Sequence, residues 1–208
     1  MRKILFDLDG TLINSQSRLY CLFAELCKEN NFSYTEYWSL KRNFLPQKVL
    51  LEKFFHYSED QIKLFNKLFL EKVEEPKRMQ LDTPVAGILE ALKTLKRNHS
   101  LYIVTNRQSH HETVKQIERF GWTNFFEGIL VTQQKVHKLD VIKNNLQTTT
   151  EDVFVTDTGE DIATAHQLGL IAVAVTWGIS NKKLLQQYNP DYIIDTVSDL
   201  INLSVFKC

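Results

Sequence analysis

The ten residues from Ile4 to Ile13, ILFDLDGTLI, place the tightest constraint on how this chain can fold. Ile4, Leu5 and Phe6 form a short apolar run of the kind a buried parallel strand shows, and Gly10 lets the chain bend just beyond it. Asp7 and Asp9 leave the carboxyl end of that strand two residues apart, so both carboxylates can face one small volume. Like charges held that close need a cation or a shared proton. Taken alone, Asp-Gly has a plainer reading, a polar turn in which Asp9 and Thr11 bond to nearby backbone.

The rest of the chain is long enough to give that strand a sheet to sit in. At 208 residues it can bury a substantial core, as one domain with a smaller one inserted. Lys plus Arg and Asp plus Glu stand at 25 each, so no basic excess points to nucleic acid as a partner. Cys21, Cys27 and Cys208 are odd in number and lack CxxC spacing, which argues for reduced thiols over a disulfide framework or zinc site. The first apolar run is broken by Asp7 and Asp9 and does not read as a signal peptide. No run reaches membrane-spanning length, so a cytoplasmic protein without a membrane partner is expected.

From about residue 15 to 83 the pattern is helical. Leu19, Leu22, Phe23 and Leu26 share a face, flanked by Cys21 and Cys27. Thr35 is expected to cap a second helix and Pro46 to start a third, and Ser58 with Gln61 fits a capping box before Ile62, Phe65 and Phe69. This stretch holds no glycine and ends at the turn-forming Asp82-Thr83-Pro84. Beyond Val85, strands and helices alternate, the mark of a parallel sheet covered on both faces. Strands are expected at 101–105, 128–131, 153–156, 171–175 and 192–194, with helical stripes at Ile88, Leu92 and Leu95, at Val114 and Ile117, at Leu139, Ile142 and Leu146, and through Ala165 and Leu168. The fold class is therefore α/β, a Rossmann-like parallel sheet (1–14 and 84–208) interrupted after its first strand by an all-helical insert (15–83).

Ligands of open parallel sheets bind outside the carboxyl ends of the strands. There the strand LYIVT ends in Thr105-Asn106-Arg107, and VFVT ends in Asp157, with Asp161 four residues on. A threonine at a strand end and an acid in a helix's first turn each have ordinary structural readings. Asp157 is harder to set aside, because a carboxylate at the tip of an apolar strand is costly without a partner. Asp7, Asp9 and Asp157 together make a hard, oxygen-rich set suited to Mg2+, which takes one or two carboxylates, waters and a substrate phosphate.

The Asp-Leu-Asp-Gly-Thr run, the Thr ending a second strand, a later Lys and an acidic pair ending a fourth strand, in that order, resemble the haloacid dehalogenase-like phosphohydrolases, and phosphoglycolate phosphatase-like members above all. The resemblance implies Asp7 as nucleophile, forming an aspartyl phosphate, and Asp9 as acid and then base. It also implies a metal held by the Asp7 carboxylate, the Asp9 carbonyl and Asp157, with Asp161 and Asn106 in support and Gly10 and Thr11 against the substrate. Thr105 and a lysine would stabilise the phosphoryl group. Lys138 is favoured for that lysine and Lys135 is the reserve, because the segment departs from the family's common Lys-Pro-x-Pro form. Thr156 stands where many relatives have Gly.

The resemblance further implies that the insert is a cap with hinges near 14–17 and 81–84, and that a small phosphorylated metabolite is the partner. Lys41, Arg42 and Lys48 gather around residues 43–46 and could meet an anionic substrate, although a solvated basic face is the plainer account. His110 and His111 read equally well as substrate contacts or surface positions, and Trp177-Gly178 as a site loop or as core. A dehalogenase would have no use for the second aspartate or a metal. The alternatives are a sugar phosphomutase of the same fold and a catalytically silent binding module, and the residues leave monomer and homodimer open.

Overall fold

The computed structural model describes residues 1–27, 31–43 and 45–206. Cys208 and Phe44, the latter in the basic segment singled out above, lie outside the described residues. The chain forms two compact units, Met1–Asn14 with Pro84–Cys208, and Ser15–Thr83.

The first unit is built on six parallel strands: β1 (Lys3–Phe6), β2 (Ser100–Thr105), β3 (Phe126–Val131), β4 (Val153–Thr156), β5 (Ile171–Val175) and β6 (Tyr192–Ile194). They lie in the order β3-β2-β1-β4-β5-β6, that of a doubly wound dinucleotide-binding sheet. β3 begins two residues before the expected Gly128, because Phe126 pairs with Leu101 ahead of an irregularity in the ladder. The order puts β1 at the centre, with Phe6 in register with Ile103 of β2 and Val155 of β4. Residues just past these three strand ends therefore meet at one edge.

Side-chain alternation splits the core in two. Ile4 and Phe6 face one side with Ile103, Val155 and Val173, covered by α6 (Ile88–Leu95), α7 (His110–Arg119) and α11 (Val197–Asn202). Leu5 faces the other with Val104, Phe154 and Ala172, covered by α8 (Lys138–Asn145), α9 (Gly159–Gln167) and α10 (Lys182–Gln186). With both faces roofed, the strand edge is the open place for chemistry. The chain re-enters this unit at Val85, whose N–H donates to the Leu12 carbonyl at 3.0 Å.

The second unit consists of α1 (Gln16–Leu26), α2 (Tyr34–Arg42), α3 (Gln47–Phe55), α4 (Glu59–Lys72) and α5 (Pro76–Met79). Phe23 and Leu22 of the expected stripe are fully buried, and Phe23 packs its ring against Tyr37, Phe55 and Phe65 at centroid distances of 4.5, 5.7 and 6.1 Å. Ser58 and Gln61 form the expected capping box. The cap of α2 is Ser33 and not Thr35: Ser33 has Glu36 three residues on, and the two side chains satisfy each other's backbone N–H groups, while Thr35 falls inside the helix. Cys21 is exposed and Cys27 buried, both as free thiols, and burial pushes the Cys27 thiol up to about 11. Among the described residues no helix is long and apolar enough to cross a membrane.

Candidate active site

Asp7 follows β1 directly and is tied to its neighbour strand, its N–H donating to the Val155 carbonyl at 2.9 Å. Asp157 follows β4 in the same way, and its side chain is fully buried. Gly10 and Gly178 approach that carboxylate so closely that a Cβ on either would stand 2.1 or 2.2 Å from Asp157 Oδ2. The Ile179 N–H donates to the same oxygen at 2.6 Å, and Thr11 Oγ1 donates to Oδ1 at 3.4 Å. Asp157 thus has a backbone cradle with no room for larger residues.

Lys138, the first residue of α8, enters this edge from behind. Its Nζ lies 2.5 Å from Asp7 Oδ1 and 2.6 Å from Asp161 Oδ2, and the side chain is buried. Thr156 Oγ1 adds a 3.0 Å hydrogen bond to that Asp161 oxygen, which gives the threonine found in place of Gly a local task. Lys135 is exposed and donates to Gln133 instead. Of the two candidate lysines, the fold brings Lys138 to Asp7. Burial works against the Lys138 charge, but the Asp161 and Asp7 carboxylates outweigh it and raise its pKa.

The carboxylates bear the opposite strain. Burial drives Asp7 up to about 6 despite Lys138, with Asp161 and Asp9 adding to the rise. Burial and then the Asp7 charge drive Asp157 up to about 8, against the Ile179 hydrogen bond. Ionised, Asp7, Asp157 and Asp161 carry three negative charges against the single positive charge of Lys138. Two are left over, and a divalent cation is the fitting complement. Among the described residues no three His, Cys, Asp or Glu side chains form a metal cluster. Asp7 and Asp157 offer hard carboxylate oxygens at this edge, of the kind Mg2+ accepts.

Asp9 is turned elsewhere. Its two oxygens accept from Arg107, at 2.7 Å from Nε and 2.9 Å from the second terminal nitrogen, and Arg107 also donates to Gln116 Oε1. Arg107 was only the last letter of Thr105-Asn106-Arg107 in the sequence; its place two residues past a central strand end is the signal that could have marked it. Thr105 is buried at the same edge, its carbonyl accepting from the Thr132 N–H at 3.0 Å. Asn106 is exposed and lines a hollow of about 440 Å³ with Thr132, Lys135 and His137. Trp177 donates its indole N–H to the Thr11 carbonyl at 3.0 Å, bracing the turn after β1.

The remaining candidates are exposed or belong to the other unit. His110 and His111 are exposed at the start of α7. Lys41 and Arg42 belong to the helical unit, where Lys41 reaches Gln47 Oε1 at 3.4 Å and burial lowers its pKa. Lys48 pairs with Glu52 and Glu59 at 3.6 and 3.9 Å, in keeping with a solvated face.

Comparison with known proteins agrees with this geometry. Residues 4–175 match the model of the haloacid dehalogenase-like hydrolase family. The pyrophosphatase PpaX of Oceanobacillus iheyensis is 30% identical over 213 residues, covering 98% of this chain and 96% of that protein. The phosphoglycolate phosphatase of Synechococcus elongatus is 24% identical over 97% of this chain and 96% of its own. Among solved structures, a haloacid dehalogenase-like hydrolase from Streptococcus pneumoniae superposes with a TM-score of 0.80 at 26% identity, over 97% of each chain. The chain therefore belongs to the haloacid dehalogenase-like hydrolase family, and these end-to-end sequence relatives are phosphatases.

Proposed function

We propose that this protein is a magnesium-dependent phosphatase that hydrolyses a small phosphate ester or anhydride through a phosphoaspartate on Asp7. The observation that carries the reading is the convergence of Asp7, Asp157, Asp161 and Lys138 at the ends of β1 and β4 and in the first turns of α9 and α8, where three carboxylates against one ammonium leave two negative charges in excess. The Asp7 carboxylate and Asp157, with the Asp9 carbonyl, would hold the cation, which supplies charge neutralisation for nucleophile and phosphate.

The chain's own residues account for the rest. An Asp7 oxygen attacks phosphorus as the bond to the leaving oxygen breaks, and Asp9 gives that oxygen its proton. Asp9 then takes a proton from water as the water attacks the phosphoaspartate, and inorganic phosphate leaves with Asp7 restored. Lys138 holds the Asp7 oxygen in place and offsets the phosphoryl charge, Asp161 orients Lys138, and the Thr105 hydroxyl is assigned to a phosphoryl oxygen. The helical unit, inserted between Asn14 and Pro84, is assigned the role of a lid that excludes water and selects the leaving group. A panel of small phosphate esters, assayed for phosphate release with and without Mg2+, tests the reading. Turnover that requires Mg2+ and vanishes in Asp7→Asn is expected; turnover surviving in Asp7→Asn overturns it.

A further inference from the structure

The Asp9–Arg107 pair conflicts with what the proposed reaction asks of Asp9. As drawn, both Asp9 oxygens serve as acceptors for one guanidinium edge. Proton donation needs one of them turned to the leaving oxygen. The pair must therefore open during the reaction, and its two members are not equally able to move. The Arg107 side chain is 3% exposed and that of Asp9 is 24% exposed. Arg107 also has a second anchor, Gln116 on α7, which is itself buried. If Asp9 swings away, Arg107 stays behind with its two-donor edge aimed at the space Asp9 has left.

A buried guanidinium deprived of its carboxylate is costly, so Asp9 is released readily only when another anion takes its place. The fork of Nε and a terminal nitrogen accepts a carboxylate or a phosphate, each in bidentate fashion. The replacement must lie within a few bonds of the leaving oxygen, because Asp9 has to reach that oxygen from the position it vacates. Building on the reading above, we propose that Arg107 is a substrate-anion receptor whose occupation releases Asp9, so that the enzyme selects substrates whose leaving group is itself anionic. A phosphorylated hydroxy acid and a diphosphate both qualify; a simple alkyl phosphate leaves the pair closed.

The test compares pyrophosphate, phosphoglycolate, ethyl phosphate and p-nitrophenyl phosphate on the full-length enzyme with Mg2+. The wild type should turn over pyrophosphate or phosphoglycolate with kcat/KM at least about 30-fold above ethyl phosphate, and which of the two leads tells phosphate from carboxylate. Arg107→Met should cut that ratio by about tenfold or more, and Arg107→Lys, a point charge in place of a fork, should keep part of it. A second measurement needs no variant. Free glycolate added in trans should speed wild-type hydrolysis of ethyl phosphate by about fivefold, because it occupies the receptor and frees Asp9. Equal losses on all four substrates in Arg107→Met, or no activation by glycolate, would show that Arg107 only braces Asp9 and would overturn the inference while leaving the phosphatase reading intact. Failure of the wild type to release phosphate from any of the four would instead overturn that reading, and the inference with it.

Discussion

Lys138 Nζ lies 2.5 Å from Asp7 Oδ1, joining residues 131 positions apart in a contact both side chains make while buried. A buried ammonium that close to the carboxylate proposed as nucleophile has to balance charge on every species Asp7 would form. Lys138→Met should therefore lower kcat by about 10²–10³, the usual loss for one preorganised stabilising group. Lys135→Met, at an exposed position, should stay within about twofold of the wild type. Steady-state kinetics on one substrate decides the matter, and an effect at Lys135 equal to that at Lys138 would refute the assignment.

The raised carboxyls give the metal-free protein a defined pH dependence. Asp7 at about 6 and Asp157 at about 8 bind protons more tightly in the folded chain than an unfolded aspartate near 3.9 does. Their contribution to stability is full below about pH 4 and is lost as pH rises through 6 and then 8. In the proposed site Mg2+ would bind the ionised pair, so it should restore stability most where the loss is greatest. Melting temperatures with Mg2+ and with EDTA should differ little at pH 5 and clearly at pH 8. A Mg2+ shift as large at pH 5 as at pH 8 would contradict the charge argument.

What could be read along the chain and what could not divide on physical grounds. β1 and its Asp-x-Asp tip are legible because an apolar run, a bend and two carboxylates all fall within ten residues. The cap of α2 is hard to place because Ser33 and Thr35 are both capping types, and only Glu36, three beyond Ser33, decides between them. Lys135 and Lys138 differ in sequence by little, yet one faces solvent and one is buried against Asp7, because the start of α8 fixes which points inward. The neighbours of Arg107 mark it only as a residue two past a strand end. Its meaning comes from Asp9, 98 residues away, and exists only once β1 and β2 lie side by side.

Within the helical unit, Arg18 Nε donates to Asp82 Oδ1 at 2.9 Å and its Nη1 donates to the Val73 carbonyl at 3.0 Å, with both ionic side chains buried. Breaking such a pair from one side leaves a buried charge behind. Arg18→Met should cost about 3–5 kcal/mol, and the paired replacement Arg18→Met with Asp82→Leu should recover much of that. Urea unfolding of the single and double variants measures the difference. A double variant no more stable than Arg18→Met would mean that the charge left on Asp82 is not the source of the loss.

Gly178 and Gly10 flank the same Asp157 oxygen, but a methyl group would do different harm at each. At Gly178 the backbone has no left-handed constraint, and an added Cβ would stand 2.2 Å from Asp157 Oδ2 and 2.3 Å from Asp157 Cβ. The second of these atoms sits next to the main chain and cannot swing aside, so Asp157 itself has to shift. At Gly10 an equal clash, 2.1 Å from Oδ2, is added to a φ of +91° that disfavours any side chain. Gly178→Ala should thus keep its helical circular dichroism but weaken Mg2+ binding by about tenfold or more, with activity partly regained at high Mg2+. Gly10→Ala should show the same weakening together with a lower melting temperature. Titration of Mg2+ against activity and against melting temperature separates the two effects, and a Gly178→Ala enzyme with wild-type Mg2+ affinity would remove Asp157 from the metal site.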